Sequence, residues 1–421
     1  MSFIFDDAHL EVKFYEDKLN VKFIGRKDRD FEDVFIPFNP GFKVKSVKQV
    51  EKYETGSIEL EKTPISISAM YVRDFSRTIE IKLEGNVKPL FFEFWGSKNK
   101  NAHYLKQETL WYPFILLNRK TLSLYEVGMM LTNRHKEVEV NIHDKNKECK
   151  TVVSAEPKDD NTWCGFDLEP ISLIRDKFSR TKMYNTMNYR CKIYVKENFK
   201  RLEINDIAEI FDEALYSLNK LLRLKPKYKT LYLIVLKGGG GFKSNNMIVL
   251  DSTTQPSKVK LFEHLTHELL HEWWPKVIAD NKLLWMSEAI PEYIASLFSY
   301  IKEYRDEIHL KPFINMANKG LQASDYKPLA TIPVHLTETE YNIVRGIGVL
   351  LLHKIASSID VNNFLKLISK LSKETGLNLN KLINAFKTYK VPEKLIKWFI
   401  EVIEGKTKPK IDKLTTNTGK L

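Results

Sequence analysis

Phe262-Glu-His-Leu-Thr-His-Glu-Leu-Leu-His-Glu-Trp-Trp274 is the stretch that decides the fold of this chain of 421 residues. It contains the pattern His-Glu-x-x-His, from His267 to His271, on a segment that we predict to be helical. On a helix, residues four apart lie one above the other, so both imidazoles can reach one zinc ion at about 2.0 to 2.1 Å. Glu268 then points to the side of the metal, near the position of a bound water. The pattern therefore predicts a metal-binding helix.

The residue types in this pattern suit the hydrolysis of a stable bond. Neutral imidazole nitrogens bind zinc, and zinc lowers the pKa of a bound water towards neutrality. A carboxylate must then accept the proton, which makes Glu268 the predicted general base. Because helices rich in His and Glu match the pattern by chance, a third ligand is needed to identify the site.

Glu288 is the predicted third ligand. Sixteen residues separate it from His271, and it lies in Leu284-Trp-Met-Ser-Glu-Ala-Ile-Pro-Glu-Tyr-Ile-Ala295, where a second helix can return a carboxylate to the metal. A site of two histidines and one glutamate, with an open fourth position, results. His264 is a rival third ligand, but a spacing of three on one helix makes a strained contact, and a histidine near a site is more often a neighbour. Glu292, four residues beyond Glu288, is either a carboxylate that orients a ligand histidine or an ordinary surface residue.

Trp285-Met-Ser-Glu288-Ala-Ile-Pro-Glu-Tyr293 resembles the W-x-x-E-G-x-x-x-Y segment that follows HExxH in the M1 aminopeptidase family of the gluzincins. The resemblance implies that His267, His271 and Glu288 bind Zn2+ and that Glu268 is the base. It also implies a thermolysin-like catalytic domain behind an N-terminal β domain. With this resemblance, the chain is expected to be a zinc metallopeptidase, an aminopeptidase-like hydrolase with a peptide substrate.

Two further segments carry the resemblance. Tyr341-Asn-Ile-Val-Arg345-Gly346 is similar to a family segment in which a tyrosine precedes Lys or Arg and Gly, and this implies that Tyr341 is catalytic and hydrogen-bonds the oxyanion of the tetrahedral intermediate. A half-buried aromatic at the start of a helix is the alternative for Tyr341.

The glycines from Gly238 to Gly241 take the place of the family's G-x-M-E-N segment, after which an edge strand can pair with a peptide. A plain flexible hairpin is the alternative there.

The chain also departs from the family pattern. The connection from the second histidine to the glutamate is shorter, and Ala289 stands where the family has glycine. Tyr341 is followed at a longer distance by its Arg-Gly pair, and Pro291 is expected to kink or delay the helix that presents the glutamate. The family's glutamate that pairs with a substrate's free amino terminus is absent, and Ser244 or Asn245 falls near its place. Action at the amino terminus and action within a peptide both stay open.

Hydrophobic periodicity predicts a multidomain α+β chain. Runs with a period of two, such as Leu10–Phe14, Thr78–Leu83 and Glu137–Ile142, predict an N-terminal β-sandwich over residues 1–195. An amphipathic helix from Ile207 to Leu222 and the apolar strand Leu231–Leu236 open a thermolysin-like α/β catalytic domain over residues 196–325. The remainder, 326–421, has helical spacing and ends in a basic tail.

Composition limits the partners. The formal charge of +12 comes from lysines spread along the chain, which makes nucleic-acid binding an unlikely role. Cys149, Cys164 and Cys191 form no CxxC pair and are expected to be buried reduced thiols.

The first residues lack the features of a secretory signal, and the apolar runs are shorter than the roughly 20 residues that span a bilayer. We therefore expect a cytoplasmic protein without a membrane partner, and the oligomeric state stays open.

Three functions are compatible with these residues. The first is a zinc metallopeptidase of M1 aminopeptidase-like type, for which all three predicted ligands, the predicted base and a candidate tyrosine are present. The alternative is a catalytically inactive scaffold or binding module that keeps the gluzincin fold, which the net charge and the missing amine anchor favour slightly. The third hypothesis is a zinc enzyme with another substrate, in which the zinc-bound water opens an epoxide or cleaves another amide.

Overall fold

Two compact units divide the chain. The computed structural model describes residues 2–15, 18–28, 31–60, 66–90, 96–99, 102–106, 109–117, 121–122, 134–197, 199, 202–238, 241–254, 256–274, 278–305, 308–332 and 337–415. Unit 1 comprises Met1–Lys200 and Tyr228–Gln255, and unit 2 comprises Arg201–Lys227 and Pro256–Leu421. The predicted domains, 1–195, 196–325 and 326–421, follow the sequence pattern and stay a prediction.

Unit 1 is built from β-strands. In chain order these are β1 Ser2–Ile4, β2 Asp7–Phe14, β3 Leu19–Arg26, β4 Phe31–Phe38, β5 Phe42–Leu60, β6 Ser66–Gly85, β7 Gly96–Asn99, β8 Ala102–Leu105, β9 Ile115–Leu117, β10 Thr121–Leu122, β11 His135–His143, β12 Lys150–Val153, β13 Glu156–Pro157, β14 Thr162–Leu168, β15 Leu173–Asp176, β16 Arg180–Thr186, β17 Tyr189–Val195, β18 Thr230–Leu236, β19 Phe242–Ser244 and β20 Met247–Asp251. Buried residues alternate with half-buried ones along β2, which confirms the period of two that predicted this strand.

Within the described residues the strands form three sheets. The first has the order β1-β9-β4-β6-β3-β2-β11-β14-β13, with β5 paired to β6. The second has the order β12-β15-β8-β7, and the third β16-β17-β18-β20-β19. Phe14 of β2 packs on His103 of β8 with ring centroids 5.2 Å apart, so the first two sheets contribute to one core, as expected for the predicted sandwich.

Strand β18 forms the centre of the third sheet. It pairs in parallel with both β17 and β20, and all of its residues are buried. Strands that are buried on both faces read as continuous apolar runs, which is why Leu231–Leu236 shows no alternation. Tyr104 and Ile174 of the second sheet pack in one cluster with Tyr232 and Ile234 of β18.

Unit 2 is helical. Its helices are α1 Ile204–Ser217, α2 Lys258–Leu270, α3 Met286–Ile301, α4 Lys311–Gln322, α5 Glu338–Asn342, α6 Val349–Ile359, α7 Val361–Leu371, α8 Leu379–Thr388, α9 Glu393–Ile403 and α10 Ile411–Thr415. Wider, π-helical turns at Leu218–Leu222 and Ile343–Gly348 follow α1 and α5. The predicted C-terminal helical region is confirmed, and the fold is multidomain α+β, as predicted.

One helical run among the described residues, Glu338–Ile359, is long and apolar enough by composition to cross a membrane. Of its apolar window, 78% is buried inside the protein. Buried core helices pass this test as readily as membrane spans do. Packing within unit 2 therefore accounts for the hydropathy of this run.

Two glycines let the π-helical turn Ile343–Gly348 approach its neighbours closely. A Cβ atom at Gly346 would lie 2.3 Å from the backbone nitrogen of Ala317 on α4. A Cβ atom at Gly348 would lie 2.9 Å from the ring of Trp285 and 3.0 Å from Cβ of Ala289 on α3. The turn therefore packs against α4 and α3 more closely than it could if residues 346 and 348 carried side chains.

Gly346→Ala is expected to destabilise unit 2 by about 1 to 3 kcal/mol, because the new methyl group meets backbone atoms that cannot move aside. The matched control is Gly56→Ala, since nothing lies within 4 Å of a Cβ atom at that position. Thermal unfolding followed by circular dichroism measures both. A loss of several degrees in Tm is expected for Gly346→Ala and almost none for Gly56→Ala; equal Tm values would contradict the close packing.

Candidate metal centre

Helix α2 presents both histidines of the HExxH pattern at its C-terminal end. Ser257 caps the helix, since its side chain accepts a hydrogen bond from the backbone nitrogen of Lys260 at 3.3 Å. The helix ends at Leu270, so His267 lies in its last turn and His271 is the first residue after it. The backbone of His271 keeps φ −61° and ψ −9°, close enough to helical geometry to leave the two imidazoles on one side.

Helix α3 presents Glu288 in its first turn. A short 3-10 turn, Asn281–Leu283, precedes the helix, and Trp285 is buried immediately before the helix begins. Since α3 starts two residues before Glu288 and continues through Pro291, the expected delay of this helix is not observed. Helices α2 and α3 pack against each other, which brings the three predicted ligands together.

Among the described residues, one group of three His, Cys, Asp or Glu side chains could hold a metal ion. Its members are His267, His271 and Glu288, and one potential ligand atom of each lies within 4.8 Å of those of the other two. The two histidine Nε2 atoms are 3.1 Å apart. Oε2 of Glu288 is 3.6 Å from Nε2 of His267, and Oε1 is 3.6 Å from Nε2 of His271. Ligand atoms at about 2.0 to 2.1 Å from a tetrahedral zinc lie about 3.3 Å apart, so these donors fit that ion.

The other ring nitrogens of the two histidines meet oxygen atoms. Nδ1 of His267 lies 3.0 Å from Oε2 of Glu292, and Nδ1 of His271 lies 3.3 Å from the carbonyl oxygen of Trp274. Partners of this kind fix the tautomer and the ring orientation of ligand histidines. Of the two sequence interpretations of Glu292, the contact favours the carboxylate that orients a histidine.

Charge is concentrated in this cluster. Burial alone would lower the pKa of His267, but Glu288 and Glu292 outweigh it and raise that pKa to about 10. Burial alone would raise the pKa of Glu292, yet Arg345 and His267 lower it to about 2. The pKa of Glu288 is well below its usual value because His271, His267 and Arg345 outweigh its burial. Both carboxylates are therefore ionised at neutral pH, as the binding of a divalent cation requires.

Arg345 joins the parts of the cluster. Its Nη2 donates to Oε2 of Glu288 at 2.8 Å, and its Nη1 lies 3.1 Å from Oε2 of Glu292. Nη1 also donates to the hydroxyl of Tyr341 at 3.2 Å. In the sequence, Arg345 is only part of the segment that resembles the family's tyrosine segment. The one local signal is an arginine directly before a glycine, and this signal does not indicate a contact with Glu288.

The predicted catalytic side chains are Glu268, on the same helix as the two histidines, and Tyr341, which contacts Arg345. Glu268 is buried, and its Oε1 is 3.6 Å from Nε2 of His264. His264 therefore adjoins the predicted base and is not one of the three side chains of the group, and Glu288 stays the predicted third ligand. Tyr341 is half-buried and lies under the Arg345 guanidinium, which is 4.8 Å from its ring centroid. Its hydroxyl is linked to Glu288 through Arg345.

The glycine segment belongs to unit 1. Gly239 and Gly240 lie outside the described residues. The hairpin tip that follows is tied to its own unit: Ser244 donates to the hydroxyl of Ser154 at 3.1 Å, and Asn245 donates to the carbonyl oxygen of Glu169 at 3.1 Å. Both side chains are buried. The residues that stand near the place of the family's glutamate are thus used in structural hydrogen bonds.

No family model and no curated protein matches the chain, but solved structures do. An M1 zinc metallopeptidase from Deinococcus radiodurans has 12% identity and a TM-score of 0.63, with 97% of this chain and 96% of that chain covered. A variant of it bound to a Tyr-Ser-Ala substrate has 13% identity, the same TM-score and the same coverage. An aminopeptidase N family protein from Idiomarina loihiensis has 10% identity and a TM-score of 0.67, over 98% of this chain and 78% of that chain. The chain has the fold of the M1 zinc metallopeptidases.

Proposed function

We propose that this chain is a zinc metallopeptidase that hydrolyses peptide bonds. The observation that carries the proposal is the group of His267, His271 and Glu288, with donor atoms at the spacing of zinc ligands and Glu268 on the same helix. When bound there, zinc would polarise the peptide carbonyl and make an attacking water more acidic. The peptide substrate is inferred from the shared fold and from the substrate of the Deinococcus structure.

Glu268 acts as the general base. Glu268 directly follows His267 on α2, and in this mechanism its carboxylate accepts a proton from the attacking water. The same carboxylate then delivers the proton to the leaving amine.

Tyr341 stabilises the developing oxyanion. Arg345 donates to its hydroxyl oxygen and holds the ring in a cation–π contact, so the phenol is oriented before substrate binds. A preorganised donor of this kind contributes about 10²- to 10³-fold to kcat in comparable oxyanion holes. A cytoplasmic location remains part of the proposal.

Glu268→Gln is expected to keep zinc and lower kcat by about 10²- to 10⁴-fold, because the amide cannot accept the proton. Turnover of fluorogenic peptides and elemental analysis of the purified variant measure the two properties. Glu263→Gln is the control, since Glu263 is a carboxylate on the same helix that pairs with Arg305 at 2.7 Å. Full activity in Glu268→Gln would contradict its role as base.

Removal of the metal is expected to lower the Tm of unit 2. An ion that binds only the folded state adds about 2.7 kcal/mol at one hundred times its Kd. Elemental analysis is expected to find one zinc per chain, and His271→Ala is expected to lose both the zinc and the zinc-dependent shift in Tm. His143→Ala, on β11 of unit 1, is the control that keeps both. A chain that binds no zinc would support the inactive scaffold instead.

Peptides with acetylated amino termini are expected to be cleaved about as fast as free peptides. A charged anchor for the amine would contribute about 1.5 to 3 kcal/mol, a preference of about ten- to more than a hundredfold. No residue from Gly241 to Leu250 is acidic, and Ser244 and Asn245 are engaged within unit 1. Paired fluorogenic peptides measure the ratio. A preference for the free amine of a hundredfold would place an anchor elsewhere and make the enzyme an aminopeptidase.

A further inference from the structure

We propose that Arg345 determines how Glu288 binds the metal: the guanidinium holds Oε2 of Glu288 and leaves Oε1 as the single ligand oxygen. The inference rests on the proposed function, because it concerns the same zinc site. It assigns to Arg345 a positioning role that acts through Glu288 and Tyr341.

The geometry around Glu288 separates its two oxygens. Each oxygen lies 3.6 Å from a histidine nitrogen, Oε2 from Nε2 of His267 and Oε1 from Nε2 of His271. The difference is that Oε2 also accepts a hydrogen bond from Nη2 of Arg345, at 2.8 Å. A carboxylate oxygen that is held by a charge-assisted hydrogen bond binds a second cation less readily than its partner oxygen does. A single ligand oxygen gives three protein ligands in all, which leaves an open position for water and substrate.

Only a planar, forked cation makes these contacts together. The guanidinium reaches Glu288 with Nη2, and Glu292 and Tyr341 with Nη1. Because Glu292 in turn lies against Nδ1 of His267, one side chain sets the positions of a ligand carboxylate, a histidine partner and the proposed oxyanion donor. A lysine ammonium is a point charge on a flexible stem and lacks the fixed fork of donors that reaches these three groups together.

The backbone gives Arg345 a defined position. It lies in the π-helical turn Ile343–Gly348, and the next residue, Gly346, packs directly against the backbone of Ala317. Extra residues of this kind in a helix are frequent at functional sites. The side chain is 21% exposed, and it enters the cluster from a turn whose next residue lies close to the backbone of α4.

Zinc affinity alone does not test this role. Removing a positive charge near a divalent ion favours metal binding, whereas losing the orientation of Glu288 opposes it, so the two effects partly cancel. The number of ligand atoms is the direct readout. Cobalt(II) in place of zinc reports it, since its visible absorption bands are strong at four-coordinate sites and weaken when a fifth ligand atom binds.

The variant is Arg345→Met, measured as the cobalt(II) form and, separately, as the zinc enzyme. We expect weaker cobalt bands, because the released Oε2 of Glu288 joins Oε1 on the metal. We also expect kcat to fall about 10- to 100-fold, the usual effect of losing a partner of a metal ligand. The control is Arg305→Met, which removes an arginine of similar exposure, 22%, from Glu263 on helix α2. It is expected to keep the wild-type bands and kcat.

Arg345→Lys distinguishes the effect of the positive charge from the effect of the guanidinium geometry. It also provides the test if Arg345→Met does not fold. It keeps the positive charge, yet we expect it to show weakened bands and a lowered kcat as well. Wild-type bands and kcat in the lysine variant would overturn the positioning role. Unchanged bands in Arg345→Met would also overturn it and leave the zinc site intact. A wild-type chain that takes up neither cobalt nor zinc would overturn the proposed function itself.

Discussion

The arrangement of unit 2 depends on two half-buried carboxylates, Glu288 and Glu292, on one face of helix α3. Like charges this close repel each other, and withdrawal from water adds to the cost, so each carboxylate must meet a cation or a hydrogen-bond donor. Arg345 and His267 meet this need from two different elements. Ion pairs therefore join helix α2, helix α3 and the π-helical turn at the place where α3 packs against the other two elements.

Packing and charge act on neighbouring residues of the same turn. Gly346 and Gly348 bring the backbone against α4 and α3, and from this turn Arg345 reaches the carboxylate of Glu288. A wider turn at this position separates Tyr341 from its Arg-Gly pair by more residues than the family pattern has. The tyrosine nevertheless stays within hydrogen-bond distance of the guanidinium.

Local patterns predicted what depends on neighbours in sequence. The period of two identified strand β2, and the spacing of His267, His271 and Glu288 identified side chains that the fold brings together. The role of Arg345 was not predictable, because it depends on a contact across 57 residues and on a turn that propensity does not reveal. Nor does a sequence indicate that Ser244 is buried, since a polar residue after glycines normally suggests an exposed loop.

The connectivity of the two units has a consequence for how the protein is made. The chain passes from unit 1 to unit 2, returns at Tyr228 and leaves again after Gln255. Strand β17 is therefore synthesised well before β18, its parallel partner, and has one unpaired edge until Thr230–Leu236 leaves the ribosome. Neither unit can be excised as one contiguous fragment, because a cut after Lys200 would remove three strands from the sheet that contains β17.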